Sequence, residues 1–360
     1  MSNTASSPPT VSKPVISGQG TIGTLFSVGI VLTMILVLPA GPHVGPYNAL
    51  ATIFASIVLE ALPFMLFGAF VGGLIEAFVS RERMASLLPR THLGTICTAA
   101  AMGLVFPVCE CAVIPVVRRL IGKGLPFSAA IAYLLAGPIV NPIVAASTLL
   151  AYGLSWEVTV LRLGLGYLIA VTVAVIMGRL FPRRSALREG LDAVSVPACA
   201  CGCTDSSLKP FSQVTDALHA PSVRTRMRQA LRHGAADFLG VGHYLIIGAF
   251  VAALAQTFVD RSMLVDTMES PFVSILLMSG LAVALNLCSE ADAFIAASFR
   301  GLVPLPGQMA FMLIGPMFDL KLLLMYQIIF RKRAILALSL LILFLTVSCA
   351  AGLGYWVRPW

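Results

Sequence analysis

Charge is scarce in this chain. Asp, Glu, Lys and Arg make up 11% of its 360 residues, against about 25% in an average soluble domain. That deficit excludes an ordinary soluble enzyme, a disordered chain and a nucleic-acid-binding domain, each of which needs a charged surface. Nucleotide and hydrolase signatures are missing too. Ile121-Gly122-Lys123-Gly124 has neither the spacing nor the Ser/Thr of a P-loop, and there is no dinucleotide fingerprint, G-x-S-x-G or H-E-x-x-H. The five histidines, His43, His92, His219, His233 and His243, fall at no metal-ligand spacing. The cysteines include no C-x-x-C pair, and a chain this apolar is not a secreted disulfide framework. The stretch from Met1 to Gln19 is polar and lacks the basic n-region and cleavage site of a signal peptide, so the first apolar run reads as a retained helix.

What the chain has is apolar length. Apolar residues make up 58% of it, and its mean hydropathy is +0.93. A helix needs about 20 apolar residues to span a bilayer. On that measure nine hydrophobic segments appear, at 23–41, 48–79, 95–117, 127–152, 158–179, 237–259, 272–295, 307–330 and 334–356. The expected fold is an all-α polytopic membrane protein. The net charge of +8 sits mostly in the loops, where its partner is the anionic inner face of a membrane. The longest polar stretch, 181–236, carries eight Lys/Arg and four Asp/Glu. It is expected to be irregular at first, then a basic amphipathic helix around Arg224, Arg226, Arg228 and Arg232.

The chain also repeats itself. Residues 68–81 read GAFVGGLIEAFVSR and residues 248–261 read GAFVAALAQTFVDR. The same 180-residue shift puts Cys109 on Ser289 and Glu110 on Glu290. After a two-residue deletion, Pro126 falls on Pro304, Gly137-Pro138 on Gly315-Pro316, and Asn141 on Asp319. Gly, Pro and acid matches held in one frame mark a duplication. The expected organisation is a polar tail 1–22, an added helix 23–41, a first repeat 48–180, the loop 181–236 and a second repeat 237–356. If all nine segments cross, the Lys and Arg outside them, with Arg179 at its segment's edge counted in the loop that follows, divide 14 to 8 between the two sides. If 95–117 and 272–295 dip in and return, the repeats are inverted and the division is 19 to 3. With 127–152 and 307–330 re-entrant instead, it is 17 to 5. The positive-inside rule favours inverted repeats with broken or re-entrant helices, and puts 181–236 in the cytoplasm. Which segment re-enters stays open.

Two motifs carry chemistry. The first is Pro107-Val108-Cys109-Glu110-Cys111 with Pro115 following. Prolines on both sides weaken helix hydrogen bonding around a carboxylate and two thiols. An acid at membrane depth is a functional hypothesis by default. In a regular helix the two cysteines would point about 200° apart, so only an unwound segment lets both reach one ligand. Thiols suit soft species such as Cu(I), Zn(II) or trivalent arsenic; the plain alternative is that they pack as small apolar residues. The second motif is Gly137-Pro138 with Asn141, paired with Gly315-Pro316 and Asp319. Paired interrupted segments in two halves point to a substrate site, although a simple proline kink would also account for them. Expected substrate-binding residues are therefore Cys109, Cys111, Gly137, Pro138, Asn141, Cys288, Ser289, Gly315, Pro316 and Asp319. Glu110, Glu290 and Asp292 are the expected proton carriers. Arg162 and Lys321 lack counterparts in the repeat and are expected to neutralise an acid or snorkel. Glu60 and Glu76 read as flanking residues of a long segment. In an extended strand Cys199, Cys201 and Cys203 would face one way and could hold one soft metal ion.

At CECAVIPVVRRLIGKGLPFSAAIAYLLAGPIVNP, residues 109–142, the chain resembles the bacterial predicted permeases that include the ArsP-type organoarsenical efflux permeases (the YraQ-like group). The second-half echo from Asn286-Leu287-Cys288-Ser289-Glu290 to Asp319 shares the likeness, which covers most of 48–356. The resemblance implies a multi-pass inner-membrane permease, with export of trivalent organoarsenicals through thiol contacts in characterised members. The CACGC run has no place in that pattern. The leading expectation is thus a secondary permease exporting a thiophilic metalloid or metal in exchange for protons, without a cofactor or nucleic acid. The lipid bilayer is its surroundings, and a homodimer is one open assembly. The alternatives are a channel or membrane subunit of a larger transport system, and a membrane thiol oxidoreductase using Cys109 and Cys111. The last lacks a C-x-x-C and any visible quinone or flavin site.

Overall fold

The computed structural model describes residues 28, 29, 31, 45–78, 89, 91–106, 108–182, 186–187, 223–258 and 271–356. Among them the chain is helical, with no strand beyond an isolated antiparallel bridge between Leu187 and Phe330. The first repeat contributes α1 (Gly45–Phe78), α2 (His92–Ala101), α3 (Glu110–Gly122), α4 (Phe127–Ala136), α5 (Pro142–Ala151) and α6 (Trp156–Leu180). The second contributes α7 (Val223–Phe258), α8 (Pro271–Leu285), α9 (Ala291–Ser298), α10 (Leu305–Met317), α11 (Leu320–Tyr326) and α12 (Lys332–Trp356). The two halves therefore run through the same order of elements. The candidate spans among the described residues are Ala49–Leu74, Trp156–Leu180, Leu305–Tyr326 and Lys332–Gly354, as expected of a polytopic membrane protein.

Both broken segments of each half are visible. The apolar run 95–117 splits into α2, with a 3-10 turn at Met102–Leu104, and α3. Its counterpart 272–295 splits into α8 and α9. The runs 127–152 and 307–330 split into α4 and α5, and into α10 and α11. A ten-residue helix is only about 15 Å long, half of a bilayer core. Irregular backbone at that depth persists only where protein or a cavity covers it.

Three boundaries differ from the sequence expectation. The basic segment around Arg224–Arg232 is not a separate amphipathic helix but the start of α7, which runs on unbroken to Phe258. Its repeat counterpart α1 begins at Gly45, three residues before the apolar segment that starts at 48. Pro115 lies inside α3 without ending it, so among the described residues the break falls upstream, between Leu104 and Cys109.

Packing links the halves reciprocally. α1 lies along α7, α4 meets α10, and α6 meets α12. α3 packs on α11 and α9 packs on α5, so each half's post-break helix rests on the other half's capped short helix. Within the halves, α2, α4 and α6 form one group, and α8, α10 and α12 the other. The repeated GAFV runs explain two close approaches. A Cβ on Gly68 would lie 2.5 Å from Ala112 Cβ, and one on Gly248 would lie 2.9 Å from Lys321 Cα. Glycine at both places lets the long helix touch backbone of its own half.

Candidate substrate site

The break before α3 ends at Cys109, the extended N-cap residue, whose carbonyl accepts the N–H groups of Ala112 and Val113 at 3.1 Å. Glu110 follows in the first turn, where a helix N-terminus favours negative charge. The opposite break is shaped by Asn286. It has φ +51°, a left-handed conformation that Asn tolerates, and it closes α8 as a C-terminal cap. Its amide donates to the Val283 carbonyl at 3.0 Å, and its Oδ1 accepts the Lys321 N–H at 3.0 Å. Gln256 of α7 donates to the Leu285 carbonyl, satisfying another exposed end.

These breaks converge on a cavity of about 20 Å³. It is lined by Glu60, Cys109, Glu110, Cys111, Asn286, Cys288 and Lys321, with Ile57, Ala61 and Phe64 as its apolar wall. That is room for about one water, so this conformer is closed to larger cargo. Lys321 Nζ lies 3.1 Å from Glu110 Oε1 and 3.7 Å from Asp319 Oδ2. All three residues are buried, so the ion pair joins α3 of one half to α11 of the other inside the protein. Glu110 Oε2 has no hydrogen-bond partner. The Cys288 thiol donates to Glu60 Oε1 at 2.6 Å.

The residues singled out in the sequence separate into groups. Cys109, Cys111, Cys288 and Glu110 share the cavity wall; the unwound start of α3 is what places both thiols there. Asn141 and Asp319 are the N-caps of α5 and α11. Asn141 accepts the Ile143 N–H at 2.9 Å, and Asp319 accepts the Leu322 N–H at 2.5 Å. Gly137 and Pro138 form the turn between α4 and α5, whereas Gly315 and Pro316 stay within α10 and the break follows at Phe318–Asp319. Gly315 makes room for Asp292: a Cβ there would lie 2.5 Å from Asp292 Oδ2. Ser289 donates to Glu290 at 3.4 Å; Glu290, at the start of α9, does not line the cavity that Glu110 lines.

Lys321 does neutralise an acid, as expected of it. Arg162 does not do so by direct pairing. It is fully buried and donates to the Thr148 hydroxyl and the Ser289 carbonyl, each at 2.8 Å, while its Nε and Asp292 Oδ2 have no partner. Sequence reasoning alone does not single out Glu60 and Asn286 as site residues. Glu60 lies in the middle of the 49–74 span, which by itself marks a functional acid. Asn286 matches Phe106 in the repeat frame, so comparing halves could not reveal it. Glu76 has no described side chain, and Cys199, Cys201 and Cys203 lie outside the described residues. Among the described residues no three His, Cys, Asp or Glu side chains are grouped to hold one metal ion.

A duplicated helical membrane protein with paired broken helices around a charged, thiol-lined cavity has the build of a solute permease. The chain belongs to a predicted-permease family, whose profile it matches over residues 47–354. It is 38% identical over 303 residues to UPF0718 protein YcgR of Bacillus subtilis, covering 84% of this chain and 95% of that one. It is 36% identical over 284 residues to a Streptococcus mutans protein named as a subunit of a two-component membrane permease complex, covering 79% and 88%. No solved structure matches the chain.

Proposed function

We propose that this membrane permease exports a small thiophilic solute, a trivalent organoarsenical or related soft metalloid species, across the inner membrane in exchange for protons. The observation that carries this reading is the cavity itself. It combines three thiols from both halves with a buried Glu110–Lys321 pair that joins them. Thiols supply affinity for a soft centre. Glu110 supplies coupling: a proton on its carboxyl cancels the attraction that holds Lys321 to α3, leaving Lys321 to Asp319 alone. The contact between the halves then weakens, as alternating access requires. Glu290 and Asp292 are the proposed further proton carriers on the opposite break. The 181–236 loop is cytoplasmic in this reading, and its three cysteines gather cargo on that side.

The test is uptake of a trivalent aryl arsenical into everted membrane vesicles, with and without an imposed pH gradient. Gradient-dependent accumulation that is lost in the Cys109→Ser/Cys111→Ser variant supports export. Accumulation indifferent to both rejects it. A second reading, a membrane subunit that works only with a partner protein, is favoured by the name of the Streptococcus relative. Transport by the purified chain alone in liposomes decides against that reading. A homodimer would be visible in the same preparation as a doubled mass.

A further inference from the structure

The short helices α5 and α11 start at their caps Asn141 and Asp319 and lead to matched residues. Tyr152 stands eleven positions after Asn141, and Phe330 eleven after Asp319. Each crosses to the other half. Tyr152, 2% exposed, donates its hydroxyl to Gln308 Oε1 of α10 at 2.7 Å. Gln308 is pinned in turn, its amide donating to the Val303 carbonyl at 2.8 Å. Arg300, at the surface, lies over the Tyr152 ring at 4.7 Å and donates to the Tyr152 carbonyl at 3.1 Å. Phe330 instead packs edge-on against Phe127 of α4, with ring centroids 6.0 Å apart. Next to it Arg331 donates its backbone N–H and its Nε to the Ala186 and Leu187 carbonyls, both at 2.9 Å. The two contacts lie at opposite ends of α6. Tyr152 is four residues before its first residue, and Leu187, bridged to Phe330, is seven after its last. A helix of 25 residues is about 37 Å long.

The cavity lies between these ends. On one side Lys321 opens α11, which leads to Phe330. On the other, Cys288 adjoins Ser289, whose carbonyl holds Arg162, and Arg162 holds Thr148, one turn before Tyr152. A cavity with room for about one water has both ways shut. We propose that Tyr152, Gln308 and Arg300 form the gate on the face opposite to 181–236, and that cargo leaves when this clamp opens. The direction of passage rests on the export reading; the clamp itself does not. Of the three arrangements of crossing and dipping segments, only the one in which 95–117 and 272–295 dip in and return puts Tyr152 and Arg300 on one face, as their contact requires. The same arrangement puts Phe330 and Leu187 together on the other face. The two closures differ in kind. Opening the aromatic end exposes apolar surface, whereas the hydrogen bonds of the clamp are exchanged for bonds to water at small net cost. The turn behind Tyr152 favours release as well. Leu154 has φ +66°, a conformation costly for leucine, and such strain persists only where surrounding contacts hold it.

The test reads access to the site rather than transport. Right-side-out and everted membrane vesicles carrying the full chain are treated with a membrane-impermeant methanethiosulfonate. Labelling of Cys109 and Cys288 in the cavity is followed by peptide mass spectrometry, with Cys97 and Cys349, which do not line it, as references. Label enters only when one end is open. Tyr152→Phe keeps the ring under Arg300 but leaves Gln308 Oε1 without its donor. It should raise labelling of the cavity thiols in right-side-out vesicles at least about fivefold, the effect of one lost hydrogen bond on an open–closed equilibrium. Arg300→Gln, at an exposed position that tolerates change, is the second variant and should act in the same direction. A rise in right-side-out vesicles in either variant, absent from everted vesicles and from Cys97 and Cys349, supports the gate. No rise in either variant, a rise in everted vesicles, or a rise shared by Cys97 and Cys349 overturns it. If the wild type carries no arsenical while Tyr152→Phe shows the right-side-out rise, the export reading falls and the gate stands.

Discussion

Replacing Lys321 by Met tests the link between the halves most directly. The ammonium lies 3.1 Å from Glu110 Oε1, and both side chains are at most 3% exposed. Met fills similar volume, so the loss is electrostatic rather than a cavity. Glu110 Oε2 has no partner even in the intact protein, and Oε1 would lose its own. An unpaired buried charge costs about 3–5 kcal/mol. Adding Glu110→Gln removes the stranded charge, so the double variant should recover most of it. Recovery stays incomplete because Asp319, 3.7 Å from the ammonium, is also unpaired. The measurement is unfolding of the four proteins of this cycle in detergent at pH 7. A Lys321→Met protein within about 1 kcal/mol of wild type, or a double variant as unstable as the sum of the singles, would refute the reasoning.

Other outcomes follow from the same geometry. Gly248→Ala sets a methyl 2.9 Å from Lys321 Cα, which is backbone and cannot step aside; a loss of about 1–3 kcal/mol in unfolding experiments is expected. Asp319→Asn keeps the cap on the Leu322 N–H but removes the charge near Lys321. It should fold normally and transport poorly, whereas Asp319→Ala should lose about 1 kcal/mol as well. Cys109→Ser, and Cys111→Ser less strongly, should abolish arsenical resistance in sensitive cells at unchanged membrane expression; full resistance in the double variant would remove support for thiol contacts. Removing Cys199, Cys201 and Cys203 together should weaken the resistance without ending it.

The duplication was legible because Gly, Pro and acid residues mark breaks and caps, and these punctuate both halves in one frame. Pro126 and Pro304 both precede helices, and Asn141 and Asp319 both cap them. What the pattern could not supply was partnership. Asn141 and Asp319 look alike in sequence and both cap a helix, yet Asp319 also has a cation 3.7 Å away, because Lys321 stands two residues on. Glu60 carries little signal in sequence because its neighbours are mostly apolar; its contact with Cys288, 228 residues away, exists only in the fold. The extent of α7 was misjudged for the opposite reason. Its first turns are basic and polar, so the local pattern changes although the helix does not.

The two buried cations show how a duplicated fold becomes asymmetric. Lys321 of the second half reaches Glu110 after the first half's break, and Arg162 of the first half reaches the Ser289 carbonyl in the second half's break. Each cation thus joins its own half to the other, but the neighbours differ: thiols and the carboxylates of Glu110 and Asp319 surround Lys321, while Arg162 meets a hydroxyl and a backbone carbonyl. Any relative movement of the halves must break or carry both contacts. Among the described residues the buried charged side chains are three acids, Glu110, Asp292 and Asp319, and two cations, Arg162 and Lys321. Low-dielectric surroundings disfavour that surplus negative charge. Under the proposed proton exchange, one proton held in this cluster offsets that surplus.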